Sequence, residues 1–452
     1  MRIVLLFCGL LIFACGDVAM EITGNEQELY QNHKLLKSYF YRPERIKPYS
    51  EYSGMEVDSM YASLKDYFCG ANFTGNCPAR YTYYLPPEKT EDKIHEIENT
   101  KKYLSFGFNR KGILNDEDEN LVDTIIVSAV YPISPAASTG LRKKDRLLSA
   151  NGIPLTGLTI EEATPYLKDD DAFEDRTDFV VLRDGEIKTL PAMRKGEVQK
   201  PTVYLDSIEG IPIIKVEEFK LNTNNQNGTY AEFKKILQEI KGTKTAIIDL
   251  RKNPGGNIWH CTAMAAELVP FNNELVYDVE HYRDSKKGNV IGTLHSYARD
   301  FLRQEGDGVN IKWIILMNRA SASCSERFAA AVKYNRPETV VIGQTSYGKG
   351  VGQIYTKTYM GGLAYITCLQ TFYPNGKTFH NVGIIPDIPT DPEDENASLD
   401  AAIEVAKGNT NFAAKRSSMP ARSKVYQIES FVNNTEPTAN KRIEMPLFHQ
   451  GE

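Results

Sequence analysis

Apolar residues fall in short runs along this chain, and their period changes from one region to the next. Residues 16–100 are polar and rich in tyrosine, with helix-like spacing in stretches such as Val57–Tyr67, and Pro86-Pro87 breaks the pattern near the end. From Tyr103 the period shortens. Asp123–Val127 reads as a strand, and Ser134–Leu141 as a short helix stopped by Gly140. Asp145–Gly152 reads as a strand entering an Asn-Gly turn, and Thr159–Leu167 as a helix capped by Thr159 with Glu162 three residues on. Thr177–Leu182 and Glu186–Leu190 flank Asp184-Gly185 as a hairpin. After Lys200-Pro201 largely apolar strands alternate with helices. Ile211–Val216, Thr245–Leu250, Ile314–Met317 and Thr339–Ile342 are the predicted strands, and Thr229–Ile240 and Ser325–Lys333 the predicted helices. This alternation predicts an α/β core, mixed α+β in detail, with a mixed sheet. Beyond Ala406 the chain turns polar, with Val425–Val432 as one strand-like exception.

Composition narrows the function. The 452 residues carry 53 Lys+Arg against 59 Asp+Glu, a net charge of −6 that fits neither a basic nucleic-acid surface nor a polyanionic tail protein. One apolar run is long, Ile3–Ala14 after Arg2, and it is too short to cross a bilayer. It has the length of a secretory core and ends Ile12-Phe13-Ala14-Cys15, similar to a bacterial lipoprotein cleavage box. The expectation is export with a lipid on Cys15, which anchors the protein to the bacterial cell envelope. Cleavage there removes Cys8 and leaves five further cysteines, an odd number that argues against a full disulfide framework. Cys69 and Cys77 flank a small loop that a disulfide would close in an oxidising compartment.

Three segments of the α/β part carry candidate chemistry. Asp249–Asn257 runs from a buried strand into Asn253-Pro254-Gly255-Gly256, where paired glycines let backbone N–H groups approach a substrate oxyanion; a plain tight loop is the alternative. Ser321-Ala322-Ser323-Cys324-Ser325-Glu326 lies where a strand ends and a helix begins. A serine there is exposed by the turn, with the next N–H aimed into the same site; simple helix capping is the alternative. Ser346-Tyr347-Gly348-Lys349-Gly350 places a lysine between glycines. It lacks the Ser or Thr of a phosphate loop after Gly-Lys. Its S-x-x-K spacing makes Ser346 a second nucleophile candidate, ranked below Ser323 because the glycines disfavour a helix.

Taken in order, these three segments resemble the carboxyl-terminal processing, or tail-specific, peptidases. Val216-Glu217-Glu218-Phe219, Thr371–Gly376 and Gly383–Asp387 agree with that pattern. The resemblance implies a serine endopeptidase with Ser323 as nucleophile, Lys349 as general base and Gln353 orienting the lysine. It implies an oxyanion site at the N–H of Cys324 and one from Gly255-Gly256. The family usually has alanine where this chain has Cys324, whose thiol implies sensitivity to oxidation. Residues 101–197 resemble a PDZ domain, in Ser105-Phe106-Gly107-Phe108, Pro135–Leu141 and Lys144–Gly152. That resemblance implies that Phe106, Gly107 and Phe108 bind substrate C-termini; a core strand with a bulge glycine is the alternative.

The expected organisation is a leader at 1–15, a mostly helical segment at 16–100, a PDZ-like β-rich domain at 101–197, an α/β protease core at 198–406 and a polar tail at 407–452. The expected partners are protein or peptide substrates and a membrane reached through the lipid, with no nucleic acid. No cofactor and no metal are expected, since the chain has no HExxH and no paired CxxC. A histidine base is disfavoured: related tricorn-like proteases take one from the strand before the helix, and Lys215–Phe219 has none. The rival reading is a catalytically silent envelope lipoprotein that binds peptide C-termini.

Overall fold

The apolar runs after residue 200 lie side by side in one six-stranded sheet. Its order is Val203–Ile208, Ile211–Val216, Thr245–Asp249, Lys312–Met317, Val340–Gly343 and Ile388–Pro389. The first pair is antiparallel and the rest are parallel. The computed structural model describes residues 24–409 except 71–75, 116, 119, 169, 225–226, 285–287 and 395. The leader with Cys15, the tail from 410 and Val425–Val432 lie outside the described residues.

The register explains why the central strands are mostly apolar. Ile214, Ile248, Ile315 and Val341 form one row across the sheet, and Ile213, Ile247, Ile314 and Val340 the next. The first row packs under helices Gly228–Glu239, Ile258–Ala266 and Cys324–Asn335, through Phe233, Met264 and Phe328. The second row packs on helix Ala397–Ala406, through Ala401, Ala402 and Ile403. A strand covered on both faces has no polar side to show. Each fully buried isoleucine contributes about 1.5–3 kcal/mol.

A five-stranded sheet stands beside this core. Leu363–Phe372 pairs with Val351–Lys357, with Tyr83–Leu85 and with the long hairpin Glu274–Asp284/Gly288–Tyr297. The N-terminal segment is helical at Asn25–Tyr39, Val57–Cys69 and Pro87–Glu98. Its strand, Tyr83–Leu85, joins the sheet by stacking Tyr83 on Tyr365 at 4.8 Å. Helices Asn25–Tyr39 and Val57–Cys69 pack against Ala364 and Ile366 of the same sheet. Cys69 and Cys77 are joined in a disulfide.

Residues 105–194 build a sheet with its own core. The order is Glu186–Thr189, Phe179–Arg183, Arg146–Ala150, Leu121–Val130 and Phe108–Leu114. The turns read from sequence are present, with Asn151 and Gly152 at φ 48° and 77° and Asp184 and Gly185 at φ 52° and 82°. Glu162 accepts from Thr159 N–H at 2.9 Å while Thr159 Oγ1 accepts from Glu162 N–H at 3.3 Å, a reciprocal cap. Strand Lys102–Ser105 pairs with Gly196–Gln199, so the two ends of the unit are zipped together where it leaves the core.

The expectation for Phe106-Gly107-Phe108 needs correction. Phe106 and Phe108 are core residues, 0% and 4% exposed, packed on Phe179. The loop's donors are engaged: Phe106 N–H donates to Asp170 Oδ2 at 3.0 Å and Gly107 N–H to Ser105 Oγ at 2.9 Å. Asp170 itself pairs with the buried Arg110 at 2.5 Å. The loop is thus a core bend that takes a carboxylate from within the chain. An apolar-Gly-apolar pattern serves either purpose, and the contacts decide it.

Gly107 sits at φ 79°, and a Cβ there would lie 2.3 Å from Ser134 Cβ. Gly107→Ala is expected to destabilise the protein by about 1–3 kcal/mol, read as a lower urea midpoint at unchanged slope. An unchanged midpoint would remove the tight bend from the account.

Candidate active site

The three candidate segments leave the carboxyl ends of three neighbouring parallel strands. Thr245–Asp249 leads to the glycine turn, Lys312–Met317 to Ser321–Ser323, and Val340–Gly343 to the Lys349 loop. In open α/β sheets ligands bind outside these ends, so the topology alone brings the segments to one place.

Hydrogen bonds separate the serines. Ser321 Oγ donates to Leu250 O at 2.8 Å and Ser325 Oγ to Asn253 O at 2.9 Å; both residues are fully buried. They tie the elbow to the glycine turn. Ser346 Oγ donates to Glu326 Oε1 at 2.6 Å and accepts from Ile384 N–H at 2.6 Å. Ser323 instead lines a small cavity with Cys324, Lys349, Ile258, Leu369 and Phe379. Its backbone has φ 53° and ψ −112°, a strained conformation for a residue with a side chain. Helix Cys324–Asn335 starts at the next residue, so the N–H of Cys324 is one of the donors that a helix start leaves without an intrahelical partner.

Lys349 reaches the same cavity from the other loop. It is 1% exposed, and its Nζ donates to Gln353 Oε1 at 2.9 Å. Gln353 Nε2 donates to Thr367 Oγ1 at 3.3 Å, and Thr367 Oγ1 to Pro78 O at 2.9 Å. Burial pulls the Lys349 pKa down to about 7, against the opposing pull of the Glu326 charge. The flanking glycines now have reasons. Gly348 adopts φ 88°, and a Cβ at Gly350 would lie 2.9 Å from His380.

The glycine turn resolves into two roles. Gly255, at φ 109°, packs so closely on the elbow that a Cβ would lie 2.8 Å from Ser323 Cβ and 2.9 Å from Cys324 N. Its N–H donates to Asn253 Oδ1 at 2.8 Å, so of the two turn glycines the candidate oxyanion donor is Gly256. Gly256 has φ 138°, and a Cβ there would strike Phe219 O at 2.0 Å.

Three features of this site have no place in the sequence reading. Glu326 is fully buried and accepts from Ser323 N–H at 2.9 Å, Lys349 N–H at 2.8 Å, Gly348 N–H at 2.5 Å and Ser346 Oγ. Burial pushes its carboxyl up to about 7 despite these bonds. The signal was present as Glu three residues after Ser323, but it reads as ordinary capping. Tyr81, from the N-terminal segment, lays its ring 4.7 Å from Lys349 Nζ, and Asn76 Nδ2 donates to Tyr347 O at 2.9 Å and Gly348 O at 3.0 Å. Cys324 is joined in a disulfide to Cys261, which corrects the expectation of an oxidisable thiol there. Among the described residues Cys368 is the free cysteine, and it is buried. The nearby histidines serve the backbone: Nδ1 of His260 accepts from Tyr230 N–H at 3.0 Å and Nδ1 of His380 from Gly350 N–H at 3.2 Å.

Residues 210–390 match the model of peptidase family S41. A probable CtpA-like serine protease of Staphylococcus aureus (strain MRSA252) is 27% identical over 371 residues, 81% of this chain and 65% of that protein. The counterpart from Staphylococcus haemolyticus (strain JCSC1435) is 22% identical over 394 residues, 85% of this chain and 70% of that protein. The chain thus spans 65% of the length of the first of these relatives. Among solved structures, the photosystem II D1 C-terminal processing protease matches 86% of this chain and 98% of its own at 16% identity and a TM-score of 0.46. A putative S41 protease from Bacteroides fragilis NCTC 9343 matches 84% and 97% at 14% identity and a TM-score of 0.46.

Glu326→Gln replaces one acceptor oxygen by an amide that faces an N–H donor whichever way it turns. The expected result is a loss of about 1–4 kcal/mol of stability together with at least a ~10-fold drop in peptide hydrolysis, because the Lys349 loop loses its anchor. Thermal unfolding and turnover on one preparation check both, and wild-type values for both would refute the anchoring role.

Proposed function

From the premise that residues 210–390 are a peptidase family S41 domain, we propose that this chain is a serine endopeptidase with a Ser323–Lys349 dyad. The observation that carries the proposal is the buried Lys349, with a pKa of about 7, lining one cavity with the strained Ser323. An ordinary lysine near 10.4 is protonated at neutral pH and accepts nothing. Near 7 a large fraction is the free amine.

Neutral Lys349 takes the proton of Ser323 Oγ, and the oxygen attacks a substrate peptide carbonyl. The N–H groups of Cys324 and Gly256 hold the resulting oxyanion. Gln353 offers Nζ a neutral acceptor and keeps it aimed at the site. Collapse expels the amine, which leaves with the proton from Lys349 and a Ser323 acyl-enzyme behind. Water activated by the same amine completes the cycle.

Substrates are proteins or peptides. The β-rich unit at 101–197 is proposed as PDZ-like, with strand Phe108–Leu114 at the edge of its sheet receiving a substrate C-terminal segment by strand addition. Export to an oxidising compartment is supported by the two disulfides. Anchoring rests on a lipid at Cys15. Among the described residues no helix is long and apolar enough to cross a membrane.

Ser323→Ala is expected to abolish casein hydrolysis while leaving the unfolding temperature within a few degrees. Lys349→Arg is expected to be equally inactive, because a guanidinium does not give up its proton near neutrality. Hydrolysis at the wild-type rate by either variant would refute the dyad. Because the active base is deprotonated, wild-type kcat/KM is expected to rise ~10-fold per pH unit below about 7 and level off above it. A profile flat from pH 5 to 9 would count against Lys349 as the base.

A further inference from the structure

We infer that the Cys261–Cys324 disulfide is a positioning element of the oxyanion cradle, and that turnover depends on its being closed. The inference rests on the proteolytic reading above.

The cradle is assembled from two separate stretches of chain. One is Cys324, whose N–H follows the nucleophile. The other is the Gly255-Gly256 turn, which continues through Asn257 into helix Ile258–Ala266. Cys261 lies one turn into that helix, and its sulfur is bonded to Cys324 across a sequence separation of 63 residues, with Cα atoms 5.7 Å apart. The covalent link therefore joins the donor residue itself to the element that carries the partner donor. Both cysteines are buried, and Cys324 lines the cavity.

Ser323 gives the link its importance. A positive φ at a residue with a side chain persists only while the surroundings over-determine it. On the amino side, Ala322 N–H donates to Asn253 O at 3.0 Å and Ser321 Oγ to Leu250 O at 2.8 Å. On the carboxyl side, Ser325 Oγ binds Asn253 O, and Arg327 Nε donates to Thr262 Oγ1 at 2.8 Å. Neither of these last two involves Cys324. The disulfide acts at Cys324 directly, one residue after the strain.

Opening the bond is a two-electron reduction. Two molecules of a thiol R–SH give the Cys261 and Cys324 thiols and one R–S–S–R. The sulfurs then move from a bonded separation of about 2 Å to a non-bonded contact of roughly 3.5–4 Å. A displacement of about 1 Å or more at Cys324 moves its N–H away from the developing oxyanion, and misplacement on that scale costs up to ~100-fold in rate. The interaction is made in the transition state, so the loss belongs in kcat and not in KM.

The test is steady-state hydrolysis of an unstructured reporter peptide by the full chain, oxidised and after treatment with dithiothreitol. Alkylation and mass measurement count the thiols in each sample. The expected result is a ~10- to 100-fold fall in kcat with KM within ~2-fold on reduction, unchanged circular dichroism, and recovery on reoxidation. Reduction also opens Cys69–Cys77, so the paired variant Cys261→Ala/Cys324→Ala separates the two bonds. It is expected to show the reduced protein's kcat without any reductant. Wild-type kcat in that variant, full kcat after complete reduction, or alkylatable thiols at Cys261 and Cys324 in the oxidised protein would each overturn the inference. Absence of hydrolysis by the oxidised wild type defeats the protease reading, and this inference with it; hydrolysis that survives reduction defeats this inference alone.

Discussion

A carboxylate taken out of water must find its hydrogen bonds within the protein, and Glu326 finds them on both sides of the candidate site. Ser323 N–H belongs to the elbow; Ser346 Oγ, Gly348 N–H and Lys349 N–H belong to the loop opposite. The same group sits in the first turn of helix Cys324–Asn335, where negative charge is favoured. The glycines of that loop have no side chains with which to hold a shape, and among its neighbours Ser346 Oγ also donates to Glu326. Here the loop's shape is that of the acceptor it surrounds. Removing the acceptor leaves buried donors unmatched, which costs more than the bonds are worth singly.

The direction of those bonds also governs the lysine. Both oxygens of Glu326 face backbone or hydroxyl donors, while Lys349 Nζ donates to the uncharged amide oxygen of Gln353. A carboxylate partner at Nζ would stabilise the ammonium strongly and hold the pKa high. A neutral partner in a dry site does so weakly, and desolvation prevails, bringing Lys349 to about 7. The chain from Gln353 through Thr367 to Pro78 O, with the Tyr81 ring over Nζ, shows that the N-terminal segment is part of this dry wall. Without residues 76–83 Lys349 would lack this cover.

Four of the six core strands were readable from runs that are mostly apolar, as befits strands covered on both faces; Val203–Ile208, with Asp206 and Ser207, and the two-residue Ile388–Pro389 gave no such run. The reciprocal Thr159–Glu162 cap and the Asn151-Gly152 turn were readable because their chemistry is local. The hairpin Glu274–Asp284/Gly288–Tyr297 was not, since its residues alternate polar and apolar around no strong turn signal. Lys349 and the paired glycines stood out because each breaks a local rule, a lysine where the backbone is unsuited to a helix and glycines in tandem; Ser323, which alone reads as a helix cap, stood out only through the order of the three segments. Glu326 obeys its local rule, and nothing in the sequence tells a cap from a cap that also holds a loop 20 residues away. Tyr81 is one tyrosine among 25, and only the sheet contact of Tyr83–Leu85 brings it to the lysine. Phe106-Gly107-Phe108 was ambiguous for the opposite reason: a binding loop and a core bend share one pattern, and the position of Asp170 lay outside it.

The two disulfides each lie close to a loop that shapes the candidate site. A large sheet needs no covalent help; the central strands are secured by burial on both faces. The Cys261–Cys324 bond instead joins helices Ile258–Ala266 and Cys324–Asn335, inside the main core and next to the Ser323 elbow. Cys69–Cys77 closes off the segment whose Asn76 side chain donates to Tyr347 O and Gly348 O of the lysine loop. Cys261–Cys324 braces the elbow at the residue after Ser323. Loop-closure entropy alone would favour cross-links between distant and otherwise independent parts of the chain. The Cys261–Cys324 bond is better explained by strain: a backbone at φ 53° relaxes unless it is restrained on both sides, and the bond adds a covalent restraint at Cys324 to the hydrogen bonds that Asn253 O accepts from either side of Ser323.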